Sequence, residues 1–287
     1  MKPGIKKFLS VCAIVAGAGI VLSVVGYFTG GIDGVGEMSQ KYSWIKGPAG
    51  DREYTYLPEG ETFTSVKVNG DIDVNISEGS SETKAAIGHG ENIGMPRMYV
   101  EDGVLIVNAE TDSPSVGLDF SGENAFPVLE IYCRENAKLQ NIDIDISYGD
   151  VGIENVSCGS MNIATSYGNV DIYNTELESG KILTDYGDVS GESIVSGGLD
   201  ITAELGDCSL QGVLRGKTGI RVDSGDVDVE SSLSEVEYKV SVDAEAGDLT
   251  IGNNEFDNFS NHYSRGEGPN AIEIVSELGD VEIGFGI

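Results

Sequence analysis

The chain has 287 residues, 40 of them glycine, and a formal net charge of −31 at neutral pH. All 48 acidic residues lie beyond residue 30. That part of the chain would repel phosphate backbones and anionic lipid headgroups, which argues against binding to nucleic acid or to a membrane surface. The same charge suits cations or basic partners, or serves solubility alone.

The amino-terminal segment has a different composition from the rest. Lys2, Lys6 and Lys7 precede residues 8–28, which are 21 residues without a charged side chain. A helix of that length crosses a hydrocarbon core, and the positive-inside rule places the lysines in the cytoplasm. The sequence therefore predicts a cytoplasmic tail at 1–7, one transmembrane helix at 8–28 and an extracellular remainder. A cleaved signal peptide is the alternative. Lipid attachment at Cys12 is a weaker one, because Val11 is bulky.

Residues 29–52 are glycine-rich and are interpreted as a tether between the membrane and the folded part. Residues 53–135 contain short stretches of alternating apolar and polar residues, which predict irregular strands. We interpret them as the amino-terminal part of the repeat described next, or as a cap on it. Within them Gly70-Asp71 has the form of a degenerate corner of that repeat. His89, like His262 further on, is predicted to be an ordinary surface residue.

The strongest pattern is a Gly-Asp pair, once Gly-Asn, that returns every 19 residues. Its five copies in strict register begin at residues 149, 168, 187, 206 and 225; two more begin at 247 and 279, after insertions of 3 and 13 residues. Around each pair apolar residues alternate with polar ones, which is typical of strands with one buried face. A single coil cannot bury that face, so the coils must stack. We predict an all-β fold, a single-stack β-solenoid of 19-residue coils over residues 136–287, preceded by the transmembrane helix.

Stacking places equivalent residues in columns about 4.8 Å apart. Cys208 lies in a column of valines and is predicted to be a buried thiol. Cys158 belongs to a coil about 14 Å away, which is too far for a disulfide. Tyr148, Tyr167 and Tyr186 share the parity of the inward isoleucines, which predicts that they pack in the core. If they faced outwards instead, they could stack against sugars.

The column of acidic corner residues is the candidate metal site, with Asp150, Asp188, Asp207 and Asp226 as calcium ligands. Asn169 interrupts the column and no calcium-roll motif is present, so the favoured interpretation is a ladder bonded to local backbone. No catalytic or cofactor-binding residue is predicted, because the sequence contains no nucleophile elbow, phosphate loop or metal-ligand spacing. Calcium is the one cofactor kept as an alternative.

Two other features suggest contacts with partners. The insertion at residues 253–270 is predicted to leave the stack as a long loop and to carry a binding site formed by Phe256, Phe259, His262 and Tyr263. The sequence stops at residues 284–287 directly after a strand, which predicts an uncovered end of the stack and end-to-end self-association.

Several stretches resemble a known family, the bacterial putative-adhesin β-solenoid domains of unknown function on Gram-positive envelope proteins. The resemblance rests on the motifs at 128–132, 136–139, 147–151, 166–170 and 185–189 and covers residues 55–287. A proline that the family usually has near Cys133-Arg134 is absent. The resemblance implies an envelope-exposed domain, linked to adhesion or envelope stress, without catalytic residues to carry over.

We therefore expect a membrane-anchored, non-enzymatic binding protein whose partner is an envelope protein or a glycan. A calcium-dependent adhesive or structural module is the alternative. A polysaccharide-active β-helix enzyme is third, because acidic residues are plentiful but no basic residues accompany them as such sites require.

Overall fold

A computed structural model of the protein describes residues 53–89, 95–110, 127–257 and 259–286. These residues form 23 strands and one three-residue 3-10 helix, Glu235–Glu237. The strands are β1 Glu53–Tyr56, β2 Ser65–Gly70, β3 Asp73–Ser80, β4 Lys84–His89, β5 Arg97–Glu101, β6 Val104–Ala109, β7 Val128–Arg134, β8 Lys138–Tyr148, β9 Val151–Glu154, β10 Ser157–Tyr167, β11 Val170–Tyr173, β12 Glu176–Tyr186, β13 Val189–Ser196, β14 Leu199–Leu205, β15 Cys208–Leu214, β16 Lys217–Ser224, β17 Val227–Ser231, β18 Tyr238–Ala246, β19 Leu249–Ile251, β20 Asn254–Phe256, β21 Asn261–Arg265, β22 Asn270–Leu278 and β23 Val281–Phe285.

The strands form two rows along the stack, which are joined where residues 176–177 of β12 pair with residues 195–196 of β13. Row A has the spatial order β5-β6-β2-β8-β10-β12-β14-β16-β22-β18-β21. Row B has the order β1-β4-β7-β3-β9-β11-β13-β15-β17-β23-β19-β20. The inner pairings in both rows are parallel, and the pairings at both ends are antiparallel.

In the central coils, strand residues pair with the residues 19 positions before and after them in the sequence. Ile163 lies between Ile144 and Ile182, its equivalents 19 residues before and after it. These isoleucines are almost completely buried, as are the valine column and Cys208 within it. Alternate residues on each strand therefore meet in one continuous apolar core, and the stacking of coils creates it.

Glycine is required at the corner between the rows. Gly168 and Gly187 have φ of +156° and +151°, and a Cβ on either would collide with the carbonyl oxygen of the corner glycine in the preceding coil. Only glycine allows the backbones of successive coils to approach so closely. A second corner uses asparagine at left-handed φ, namely Asn136, Asn155 and Asn174. That 19-residue asparagine series was visible in the sequence but was not recognised.

Strand order departs from chain order at the carboxyl-terminal end. The last coil, β22 with β23, lies between the coil of β16 and β17 and the coil of β18 and β19. Ile283 on β23 is therefore completely buried. The prediction of an uncovered end at residues 284–287 is wrong, because the chain turns back to fill an inner position of the stack.

The 253–270 insertion is also not a loop that leaves the stack, as predicted. It contains β20 and β21, which pair antiparallel with β19 and β18 and so cover the end of the stack. These strands satisfy backbone groups that an exposed last coil would leave unpaired.

The amino-terminal end has the same construction. The first coil, β2 with β3, lies between the coil of β6 and β7 and the coil of β8 and β9. Antiparallel β5, β4 and β1 finish the stack on that side. The corner of the first coil is shifted by two residues from the prediction: the Asp73 carboxylate, not that of Asp71, accepts a bond from the Asp150 backbone N–H.

The predicted fold class is wrong in its transmembrane helix. No helix among the described residues is long and apolar enough to cross a bilayer. Such a span needs about 20 consecutive apolar residues, whereas the described strands alternate apolar and polar side chains. The predicted tail at 1–7, span at 8–28 and tether at 29–52 lie outside the described residues.

Candidate functional site: an exposed tyrosine ridge

A row of large apolar side chains lies exposed beside the Gly-Asp corner. Tyr148, Tyr167 and Tyr186 are 45%, 47% and 47% exposed, and parallel pairing places them in adjacent coils. Leu205 continues the row in the next coil and is 44% exposed. We call these four residues the tyrosine ridge. Leu278 prolongs the same column further along the stack, beyond Ser224.

The three tyrosine rings stack on one another. Ring centroids are 4.9 Å apart in both pairs, with interplanar angles of 7° and 4°. The ring separation equals the spacing of neighbouring strands, so the backbone pairing itself sets the stack. The rings are thereby held in one arrangement before any ligand arrives.

The prediction that these tyrosines pack in the core is wrong. Thr165, two residues before Tyr167, is buried as the alternation requires. Tyr167 is the last residue of β10, and the chain turns at Gly168 directly after it, so the Tyr167 side chain points away from the core although its parity is the same. The composition of the column does not show this, because the buried column two residues earlier in the same strands also contains alanine and serine, at Ala203 and Ser276.

Stacking determines what the ridge can contact. The faces of Tyr167 are covered by the rings on either side, which leaves the ring edges and hydroxyl groups at the surface. A sugar needs an open aromatic face to stack on, so the interior of the ridge suits it poorly. The ridge instead presents a row of phenol hydroxyls at about 4.9 Å spacing, each able to donate and accept hydrogen bonds.

Carboxylates flank the ridge on both sides. On one side, the residues directly before the ridge residues in adjacent coils include Asp185 and Glu204. On the other side lies the column of corner aspartates, among them Asp188 and Asp207. The residues directly before Tyr148 and Tyr167 are serines, so carboxylates lie on both sides of the ridge only at Tyr186 and Leu205.

The corner aspartates form a hydrogen-bonded ladder. The Oδ1 atom of Asp150 accepts a bond from the backbone N–H of Asn169 at 2.9 Å, and the amide oxygen of Asn169 accepts one from Asp188 at the same distance. The remaining members of the ladder are Asp73, Asp207, Asp226, Asp280 and Asp248. Each carboxylate that accepts such a bond thus uses one oxygen atom to satisfy a backbone N–H group of the neighbouring coil.

The structure brings the calcium candidates Asp150, Asp188, Asp207 and Asp226 into this single column. No group of three or more acidic, histidine or cysteine side chains among the described residues is arranged to hold a metal ion. The ladder needs only an acceptor oxygen at each position, which Asn169 provides as well as aspartate. Calcium binding stays an untested alternative.

One carboxyl beside the ladder has a perturbed pKa. Burial, together with the nearby charges of Asp150 and Asp188, raises the pKa of Asp171 to about 6. Ionising Asp171 therefore costs more free energy in the folded protein than in the unfolded chain.

The predicted binding-loop residues lie at the covered end of the stack. Phe256 contacts Phe259 and Tyr263, with ring centroids 6.0 and 5.6 Å away, and all three pack against the core. They form an aromatic plug whose structural role is to cover the last coil. His262 is exposed, and its Nδ1 lies 2.7 Å from Oδ1 of Asp243.

The cysteine predictions are confirmed, and one histidine prediction is wrong. Cys133, Cys158 and Cys208 are free, buried thiols, and burial raises the pKa of Cys208 to about 12. Such thiols remain protonated and behave as small apolar groups. His89 is only 6% exposed, because it ends β4 within the amino-terminal end of the stack.

Comparison with solved structures returns proteins of low sequence identity. A Bacteroides fragilis protein described as a "putative adhesin" is 11% identical, with a TM-score of 0.47 and coverage of 82% of this chain and 98% of that one. A Clostridium sporogenes "putative cell adhesion protein" is 17% identical, with a TM-score of 0.34 and coverage of 82% and 100%. A "putative lipid binding protein" of Parabacteroides distasonis is 13% identical, with a TM-score of 0.42 and coverage of 81% and 98%.

None of these structures is similar enough to transfer a function, and no curated protein matches the chain. A family model, however, matches residues 49–284, which include every described strand except the last residue of β23. This match confirms the resemblance carried by the Tyr-Gly-Asp repeats. The chain belongs to the Toastrack DUF4097 family.

Proposed function

We propose that this protein is a non-enzymatic binding protein that acts outside the cytoplasm and holds its partner on the tyrosine ridge. The observation that carries the proposal is the exposure of four large apolar side chains in one row on a strongly acidic chain. Single exposed apolar residues are normal on protein surfaces, but a contiguous patch indicates an interaction site.

The rigidity of the ridge supports the same proposal. Each tyrosine is held by parallel strand pairing and by contact with its neighbouring rings. A ligand that binds there orders few additional side chains, so less free energy is lost on binding than at a flexible surface. Tyrosine also combines a large apolar area with a hydroxyl group, which favours it at interfaces.

Two further considerations bear on the class and place of action. The ladder aspartates are bonded to backbone. The ion pairs that described acidic residues form with basic groups all involve side chains at least 39% exposed, whereas charge-stabilising catalysis works in sites that exclude water. The three lysines before an uncharged run of 21 residues are typical of exported proteins. Protease added to intact cells should therefore digest the protein, and protection in intact cells would contradict an external location.

Binding by the ridge can be tested with the purified protein immobilised and exposed to envelope fractions of its own cell. The variant Tyr148→Ser/Tyr167→Ser/Tyr186→Ser removes the rings without changing the charge. Tyr173→Ser is the matched control, because Tyr173 is 41% exposed but lies on β11 in row B, away from the ridge. We expect the ridge variant to lose a ligand that the wild type and the control retain. Equal capture by all three proteins would contradict the proposal.

A further inference from the structure

We infer that the partner of the tyrosine ridge is a protein that contributes an extended, Lys/Arg-rich segment lying along the stack axis. This inference rests on the proposed function and names the chemistry of its ligand. It follows from the carboxylates on both sides of Tyr186 and Leu205 and from the row of tyrosine hydroxyl groups along the ridge.

The strongest part of this surface lies at the coils of β12 and β14. Beside Leu278, Glu277 already forms an ion pair with Arg221 at 3.0 Å, and Arg221 also reaches Asp223 at 3.4 Å. Among the described residues, no ion pair is formed by Asp185 or Glu204. No described basic side chain therefore neutralises the negative charge beside Tyr186 and Leu205.

The other flank carries the same sign of charge. Oδ1 of Asp188 accepts the backbone N–H of Asp207 at 2.9 Å, and Oδ1 of Asp207 accepts that of Asp226 at 2.8 Å. In each carboxylate this bond uses one oxygen and leaves the second one for a ligand. Both aspartates are exposed. Tyr186 and Leu205 therefore lie between carboxylates on either side.

An extended peptide fits this arrangement. Its side chains alternate to left and right, so successive basic residues would reach the two carboxylate rows in turn. Its backbone would lie over the ridge, where the phenol hydroxyls can donate to carbonyl groups and accept from N–H groups. Three coil steps of about 4.9 Å cover about 15 Å, which an extended strand spans with about five residues.

The chemistry of the ridge also favours aliphatic cations over aromatic recognition. The methylene stems of Lys and Arg can pack along the ring edges while their charged ends reach the carboxylates. Cation–π contact requires an open ring face, and the stacked rings do not offer one at Tyr167. The carboxylates must therefore provide most of the charge recognition.

The test uses a fluorescent oligolysine peptide and the full-length protein at about 0.15 M salt, where the screening length is about 8 Å. The variant Asp185→Asn/Glu204→Gln removes two charges beside the ridge. The control Glu176→Gln/Glu192→Gln removes two exposed charges at other positions and has the same net charge. We expect the first variant to bind about tenfold more weakly and the control to change less than twofold, because local ion pairs outweigh screened distant charges. Equal losses in both variants would overturn the inference.

The tyrosines provide a second measurement. Tyr167→Ser/Tyr186→Ser should weaken oligolysine binding several-fold, and Tyr173→Ser should not. If melting shows that the serine variant is poorly folded, Tyr167→Phe/Tyr186→Phe removes the hydroxyls alone and should still weaken binding. If the folded variants bind oligolysine as tightly as the wild type does, the inference is refuted. It is also refuted if spermine binds more tightly than oligolysine and is weakened as much by the same substitutions, because the ligand would then be a small polyamine. The ridge variant is expected to lose the envelope ligand that the wild type captures. If that happens but oligolysine does not displace the envelope ligand from the wild type, the proposed function stands and this inference alone fails.

Discussion

The core columns should contribute far more to stability than the acidic ladder, and two substitutions in the same region test this. Ile182 is completely buried and lies in register between Ile163 and Ile201. Replacing it with alanine removes three buried carbons and leaves a cavity, because the neighbouring coils are fixed by their own pairing. Such substitutions cost about 2–5 kcal/mol. For a folded part of this size, each kcal/mol lowers Tm by about 2–4 °C, so Ile182→Ala should lower it by roughly 10 °C.

The paired substitution is Asp188→Asn. An amide oxygen can accept the Asp207 N–H as the carboxylate does, and Asn169 already makes the equivalent bond at 2.9 Å. The change also removes one of the charges that disfavour ionised Asp171. We expect a change in unfolding free energy within about 0.5 kcal/mol of zero, the usual range at surface positions.

The assay is chemical denaturation of both variants and the wild type, followed by circular dichroism in calcium-free buffer. Comparison of the denaturation slopes shows whether a partly folded stack accumulates, since repeat stacks need not unfold in one step. Similar destabilisation by the two substitutions would refute the reasoning. It would mean that the aspartate column holds a cation or a buried network and is more than a row of backbone acceptors.

Three other predictions follow from the same contacts. Asp171→Asn should stabilise the protein more at pH 7.5 than at pH 4.5. The pKa of Asp171 is raised from 3.8 to about 6 in the folded state, so the penalty for ionising it is complete above about pH 6, shrinks as the pH falls and is absent below 3.8; equal effects in melts at both pH values would contradict this. Phe256→Ala should speed hydrogen exchange in β19 to β21 and leave β10 to β12 unchanged, because it opens the plug at one end only; uniform exchange along the stack would contradict a capping role. Melting in calcium and in chelator should give the same midpoint, and a rise with calcium would favour the metal-binding alternative.

The central coils could be predicted from the sequence because their signal is local. A glycine every 19 residues marks a corner where a Cβ would strike the preceding coil, and β-branched residues at fixed offsets mark the buried columns. Each coil repeats the same constraint, so a coil with an atypical residue can still be aligned by comparison with the other coils. Cys208 could be placed in the core by this means alone, since the column determines its environment.

The exposure of the tyrosine ridge could not be predicted in the same way. Side-chain parity indicates the face of a strand only while the strand runs straight, and Tyr148, Tyr167 and Tyr186 each stand at its last residue. The direction of the side chain there depends on the turn at the following glycine. The composition of the column does not resolve this either, because the buried column two residues earlier also contains alanine and serine, at Ala203 and Ser276.

The order of coils at the two ends is a different kind of problem. Column residues such as Ile274 fit next to any coil of the stack, so the repeat does not specify which neighbour each copy takes. In the structure Gly279 lies on Gly225, and Gly247 lies on Gly279, so the later coil is the inner one. Placing the last coil inside leaves β18 and β19 outermost, next to the insertion that supplies β20 and β21. The chain thus covers its final parallel strands with antiparallel ones, as it also does at the other end with β5 and β4. Since exposed parallel edges invite pairing with other chains, any self-association of this protein should involve the antiparallel strand edges rather than the strand that ends the sequence.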